Sequence, residues 1–235
     1  MGLVPFHGWL PDVCSKSPAT ISSVFSGLFT GSAFLAFTRI MNAVPPELQD
    51  FCGKFLAGFG MLSVFLAVCF MIFQSNFKRL ISYSGILHLG VLCVAWGLGS
   101  FSAAAVLLIG HLLIQGMLLL LADNLLLAFG TESISGVSRM SKHIPKTTIL
   151  WGAGLFALCG MPPSPVFASL YMLVRDAFLA GRYWTGSILL ILFFAVFSGI
   201  SAIFFRMSSG NSILPPSSGQ RRSCILAENL FFVPA

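Results

Sequence analysis

The chain has 235 residues, of which 57% are hydrophobic and only 9% are charged, whereas soluble domains carry about 25% charged residues. This composition excludes an ordinary soluble protein and indicates an integral membrane protein. The formal net charge of +6 does not indicate a nucleic-acid partner, because the 13 basic residues are scattered through short loops rather than gathered on one face.

The first element is the segment PFHGWLPDV near the start of the chain. Pro5, Gly8 and Pro11 oppose a regular helix, yet the apolar residues between them are too many for an ordinary loop. The segment therefore predicts a short or re-entrant half-span. His7 and Asp12 are candidate access points for protons at its edge, although solvated side chains at a membrane surface would give the same pattern.

Six apolar segments follow, each long enough to cross about 30 Å of hydrocarbon. They cover residues 20–43, 55–74, 80–99, 103–129, 147–179 and 184–205. Together they predict an all-α, polytopic membrane domain over residues 1–206. Residues 207–235 are rich in Ser, Pro and Gly and predict a polar tail.

Basic residues divide unequally between the two sides that six alternating spans define. One side receives nine of them, namely Lys16, Lys78, Arg79, Arg139, Lys142, Lys146, Arg206, Arg221 and Arg222. The other side receives four, namely Arg39, Lys54, Arg175 and Arg182. The positive-inside rule predicts that the first side is cytoplasmic, with these residues in loops.

The fifth span is interrupted by a run that contains Gly160, Pro162, Pro163 and Pro165. Proline inside a helix removes a backbone hydrogen bond and clashes with the preceding turn, at a cost of roughly 3 kcal/mol. In lipid such a break is tolerated where neighbouring helices or a polar cavity satisfy the freed carbonyls, and it often marks an ion pathway. A plain proline kink is the alternative interpretation.

Two histidines and an amide lie within the third and fourth spans. His88 and His111 are each eight residues from one end of their span, which is a depth of roughly 12 Å. Gln115, one turn beyond His111, is expected at about the level of His88. Imidazole titrates near neutral pH and both donates and accepts protons, so these residues indicate a proton pathway. Neutral side chains that hydrogen-bond two helices together are the alternative.

Near the end of the fourth span, Asp123 is either a further access point for protons or an interfacial acid. The basic residues 131–146 that follow are expected to be solvated. The six cysteines show no metal-ligand spacing, and the chain has no phosphate loop, nucleophile elbow or haem motif. We therefore expect no metal site, no cofactor and no catalytic site on this chain.

Four motifs in this order resemble one family. PFHGWLPD followed by SKSPATISSVFSG is similar to the seventh-helix signature of antiporter-like subunits, which occur in respiratory complex I, multi-resistance cation/proton antiporters and energy-converting hydrogenases. KRLISYSGILHLG resembles the tenth helix, GHLLIQGMLLLLADN the eleventh and GMPPSPVFASLY the broken twelfth. The hydrogenase-4 and formate hydrogenlyase type is the most similar.

The resemblance implies a fold of about fourteen helices in two inverted repeats, of which this chain would cover the second. His88 and His111 match histidines of the family's central polar axis. Three charged positions of the family are altered, because its eighth-helix lysine aligns with Gly31, its eleventh-helix lysine with Gln115, and the acid or lysine after the break with Leu170.

The function implied is that of a membrane-arm subunit in a redox-driven, proton-translocating oxidoreductase complex of the NADH:quinone or membrane hydrogenase type. Its expected partners are other membrane and hydrophilic subunits, and its expected location is a bacterial or archaeal cell membrane. One alternative is a non-conducting structural paralogue that packs against true pumps. The other is an independent cation/proton antiporter.

Overall fold

A computed structural model of the chain describes residues 2–209, and the regular structure in this part of the chain is helical. The helices are α1 (Trp9–Lys16), α2 (Ala19–Val24), α3 (Thr30–Asn42), α4 (Pro46–Ile72), α5 (Phe77–Gly97), α6 (Phe101–Phe129), α7 (Met140–His143), α8 (Pro145–Leu158), α9 (Pro165–Leu179) and α10 (Tyr183–Ser209). A π turn, Phe25–Phe29, joins α2 to α3 without interruption.

Five helices in the described part are long and apolar enough to cross a membrane. They are Thr20–Asn42, Pro46–Ile72, Phe77–Gly97, Phe101–Phe129 and Tyr183–Ser209. The predicted fifth span is present as two half-helices, α8 and α9, separated by residues 159–164. The predicted all-α, polytopic architecture with one broken helix is confirmed. Of the predicted tail, residues 207–209 belong to α10, and the remainder, with Arg221 and Arg222, lies outside the described residues.

One predicted boundary and one predicted effect of proline are wrong, and the same property of proline explains both. The second span begins at Pro46, nine residues earlier than predicted, because proline fits the first helical position, where no backbone N–H is needed. Pro11 was expected to oppose a helix, yet it lies in the first turn of α1, where the same argument applies. The half-span is thus a short helix that follows a turn.

The centre of the bundle is α5, which is buried along most of its length. It packs against α1, α4 and α6, while α6 in turn contacts α2, α8 and α9. Glycines allow the closest of these approaches. A Cβ atom at Gly60 would lie 2.6 Å from the carbonyl oxygen of Gly90, and one at Gly90 would lie 2.7 Å from that of Gly60. Small residues of this kind let helices pack closely in lipid, where burying apolar surface between helices contributes little free energy to association.

The segment that follows α6 is folded over the start of α5. The N–H of Ile134 donates to the carbonyl of Ser75 at 2.8 Å, and the N–H of Phe77 donates to that of Glu132 at 3.1 Å. Ile134 and Met140 are buried. The expectation that residues 131–146 are simply solvated is therefore wrong, because apolar residues within the segment pack on the bundle.

Candidate functional site

Polar side chains face one another along the contact between α5 and α6. These two helices are antiparallel and joined by residues 98–100. The polar seam, as we name it, consists of Lys78, Ser84 and His88 on α5 and of His111, Gln115 and Asp123 on α6. Each residue on α5 contacts one residue on α6, so the seam has three levels.

The first level is a direct contact between the two histidines. The Nδ1 atoms of His88 and His111 lie 3.0 Å apart, and the ring planes are inclined by 79°. Each residue is only 1% exposed. Polar groups buried to this degree are costly unless they are hydrogen-bonded. The contact gives one nitrogen of each ring its hydrogen-bond partner.

The second nitrogen of His88 is satisfied by the helix break. Helix α8 ends in a Schellman motif with Gly160 in the left-handed region (φ +76°). In this motif the N–H of Gly160 donates to the carbonyl of Ala157 and that of Met161 to the carbonyl of Phe156, so the carbonyl of Leu158 is not used. The Nε2 atom of His88 lies 3.2 Å from that oxygen.

These contacts assign the tautomers of the neutral pair. A carbonyl oxygen only accepts, so His88 carries its proton on Nε2 and presents an acceptor at Nδ1. His111 must then donate from Nδ1, which leaves its Nε2 atom as an acceptor. That atom is buried and makes no hydrogen bond of standard geometry within the described part of the chain, and a backbone group of Ser26 lies near the ring.

The break residues fix α9 on α6. Ser164 caps α9 by accepting from the N–H of Phe167 at 3.1 Å. Pro165 begins α9 and packs so closely on Gly110 that a Cβ atom there would meet the proline ring at 2.8 Å. Pro162 and Pro163 lie in the turn between the two half-helices. The break is therefore an ordered turn that places the end of α8 against the histidines.

The second level contains Gln115, which has no exposed surface. Its Nε2 atom donates to the carbonyl of Ile81 at 2.8 Å, and its Oε1 atom accepts from Ser84 Oγ at 3.2 Å. The prediction that Gln115 lies level with His88 is wrong. His111 occupies that level, because His88 and His111 are nearly equally distant from the link between the two helices.

A glycine and the π turn close the seam on the side of the first span. A Cβ atom at Gly85 would lie 3.3 Å from Nε2 of Gln115, and 3.8 Å from both the His111 ring and Ser26 Oγ. Ser26 belongs to the π turn and is buried. Local π turns are frequent at functional sites, and this one presents Ser26 to the histidine level.

Apolar contacts surround Gly31 and Leu170, the two other positions that the sequence resemblance aligns with charged residues. A Cβ atom at Gly31 would lie 3.2 Å from a methyl group of Leu112. Leu170 packs against Gly160 and lines an apolar groove of about 480 Å³ at the break. An ionised side chain at either position would have no charged neighbour among these contacts.

The third level is an ion pair that the sequence does not reveal. Lys78 was expected in a loop, but it lies in the first turn of α5 with its side chain only 4% exposed. Its Nζ atom is 2.7 Å from Oδ1 of Asp123 and 3.5 Å from Oε1 of Glu132. The sequence offers no local signal for it, because the ten residues between Lys78 and His88 place the two side chains about 80° apart around an ideal helix.

His7 and Asp12, the other candidate access points, lie outside the seam. Asp12 forms a half-exposed ion pair with Arg79 at 2.5 Å. The ring of His7 lies 5.8 Å from that of Phe70, which stacks on Tyr83. These ring contacts place His7 against α4.

Comparison with known proteins gives one family. Residues 1–201 match the family described as NADH:quinone oxidoreductase/Mrp antiporter, TM. Over 190 residues the chain is 33% identical to the hydrogenase-4 component F homolog of Methylacidiphilum infernorum, which covers 76% of this chain and 38% of the relative. It is 26% identical over 205 residues to NADH-quinone oxidoreductase subunit N 1 of Thermodesulfovibrio yellowstonii, covering 87% and 43% of the two chains.

The fold is also that of a solved assembly. A chain of the Mrp complex from Dietzia sp. superposes with a TM-score of 0.83 at 20% identity, over 90% of this chain and 40% of the other. At this identity the likeness concerns the fold alone. The present chain spans about two fifths of the length of each of these three proteins.

Proposed function

The chain belongs to the NADH:quinone oxidoreductase/Mrp antiporter transmembrane family, and on this premise we propose that it is a membrane-arm subunit of a redox-driven complex that translocates protons. Electron transfer takes place in partner subunits, and this chain carries protons along the polar seam. The observation that supports the proposal most strongly is the 3.0 Å contact between His88 Nδ1 and His111 Nδ1 at full burial.

The assigned tautomers define one proton transfer. A proton that arrives at the seam forms a bond with Nε2 of His111, which makes no hydrogen bond of standard geometry in the described residues. The proton on Nδ1 of His111 then moves to Nδ1 of His88. His111 is neutral again with its proton on Nε2, and His88 becomes an imidazolium whose Nε2–H still donates to Leu158. One positive charge has moved by one ring.

Gln115 and Ser84 have a different role in this proposal. An amide and a hydroxyl do not exchange protons near neutral pH, so neither is a carrier. Their mutual hydrogen bond and the bond from Gln115 to Ile81 hold both side chains at the α5–α6 contact. We assign them the role of orienting the groups through which a proton reaches His111.

The orientation follows from the basic residues. Lys78, the 131–146 segment and Arg206 lie at the same end of the bundle, where Ser141 Oγ donates to the carbonyl of Ser208 at 3.0 Å. We name this the basic end, and we infer that it faces the cytoplasm of a bacterial or archaeal cell.

A non-conducting scaffold is the second candidate. The apolar surroundings of Gly31 and Leu170 favour it, because two positions that are charged in the family have lost both the charge and the space for it. In that case the histidine pair would serve only to hold α5, α6 and α8 together.

Purification tests the assignment to a complex. Extraction from native membranes in a mild detergent, through an affinity tag on this chain, is expected to yield material that catalyses quinone-linked or hydrogen-linked electron transfer. Recovery of this chain alone, with cation/proton exchange activity after reconstitution into vesicles, would contradict the proposal and support an independent antiporter.

A further inference from the structure

The charged end of the polar seam contains a buried lysine. Among residues 2–209, Lys78 is the one lysine or arginine that is buried. Lysine is almost never fully buried unless it is paired, and the partner at 2.7 Å is Asp123. Glu132, at 3.5 Å, is the second acid that Lys78 contacts.

Local structure holds this cluster in place. Asn76 caps α5, since its Oδ1 atom accepts from the N–H groups of Lys78 and Arg79. The Nδ2 atom of the same asparagine donates to Glu132 at 2.7 Å. The cap thus fixes the start of α5 and one of the two acids at the same time.

The cluster is in register with the histidines. Lys78 and His88 both contact α6, and the ten residues between them span about 15 Å along α5. On α6, Asp123 lies eight residues beyond Gln115, which is about 12 Å. The ion pair therefore terminates the same α5–α6 contact that contains the histidine pair.

We propose that Lys78 is the proton-exchanging group at the basic end of the seam, with Asp123 as its exchange partner. In the exchange an N–H bond of the ammonium breaks, an O–H bond forms on the carboxylate, and a charged pair becomes a neutral pair. The reverse step restores both charges. This inference rests on the proposed function and supplies the ionisable group that Gly31, Gln115 and Leu170 do not provide.

The choice of lysine distinguishes this role from a structural one. A lysine ammonium can give up a proton to a carboxylate, whereas an arginine guanidinium stays charged and still pairs with carboxylates. Lys78→Arg therefore keeps the ion pair and removes the exchange. Lys54→Arg is the matched control, because Lys54 forms a largely exposed pair with Asp50 at 2.6 Å.

The experiment measures protons translocated per electron in the intact assembly, together with electron-transfer activity and assembly content. We expect Lys78→Arg to assemble normally and to lose this subunit's share of translocation, and Lys54→Arg to behave like the parent. An unchanged ratio in Lys78→Arg, beside a lowered ratio in His111→Ala, would overturn the role of Lys78 and leave the proposed function intact. Unchanged ratios in both variants would overturn the proposed function itself.

Asp123→Asn gives the same test if Lys78→Arg assembles poorly. The amide oxygen still accepts a hydrogen bond from Lys78 but takes no proton. A lowered ratio at normal assembly content supports the exchange, and an unchanged ratio excludes it.

Discussion

The Nε2 atom of His88 lies 3.2 Å from the carbonyl oxygen of Leu158, the last residue of α8. This contact joins the helix break to the histidine pair. A helix end buried in lipid needs hydrogen-bond donors for its last carbonyls. The Schellman motif at Gly160 gives the Leu158 carbonyl no backbone donor. His88 provides the donor, so the break fixes which nitrogen of His88 carries its proton.

Replacing His88 with glutamine separates this structural bond from proton transfer. The amide N–H of glutamine can still donate to Leu158, but an amide does not accept a proton near neutral pH. We expect His88→Gln to assemble at the parental level and to lose this subunit's share of translocation, measured as protons per electron. Parental translocation in a fully assembled variant would show that His88 serves only to hydrogen-bond α5 to α8.

Gly160 sets the position of the break, because its left-handed conformation ends α8. An alanine at Gly160 would adopt a left-handed conformation at a cost of about 1 kcal/mol, and its Cβ atom would lie 2.7 Å from Leu170. We expect Gly160→Ala to lower both thermal stability and translocation, because the carbonyl of Leu158 moves with the turn. Gly181→Ala is the control: its φ is +70°, but nothing lies within 4 Å of the added atom. Equal translocation in the two variants would contradict the link between break and seam.

Helix packing gives a third prediction. Gly60→Ala would place a Cβ atom 2.6 Å from the backbone of Gly90, and overpacking of this kind costs about 1 to 3 kcal/mol. We expect a lowered unfolding temperature for the assembly in detergent. Gly58→Ala, on the same helix with open space around the added atom, should match or slightly exceed the parent. A parental unfolding temperature for Gly60→Ala would show that α4 and α5 do not approach each other this closely at Gly60 and Gly90.

The spans were predictable from the sequence because apolar length determines them. The break was predictable because proline and glycine act locally, on the backbone of their own helix. The partner of each polar residue was not predictable in the same way. That His88 faces His111 rather than Gln115 depends on where α5 and α6 begin, and an error of two or three residues at a boundary moves a side chain by about a turn.

Lys78 shows a second limit of sequence reasoning. A lysine beside an arginine at the end of an apolar run is typical of a loop that sets topology, and the sequence contains no local mark that separates it from Arg79. The structure buries Lys78 and leaves Arg79 partly exposed beside Asp12. The difference arises from the facing acid on α6 and from the segment folded over the start of α5, both of which are contacts distant in sequence.

The most direct measurement of the central claim is the number of protons translocated per electron by the intact assembly after His111→Ala. Leu113→Ala, an exposed position on the same helix, controls for the loss of side-chain volume, and assembly content is measured for both variants. We expect His111→Ala to lower the ratio by this subunit's share while electron transfer continues, and Leu113→Ala to leave it at the parental value. A parental ratio in assembled His111→Ala would contradict proton transfer through the histidine pair and leave the chain as a scaffold.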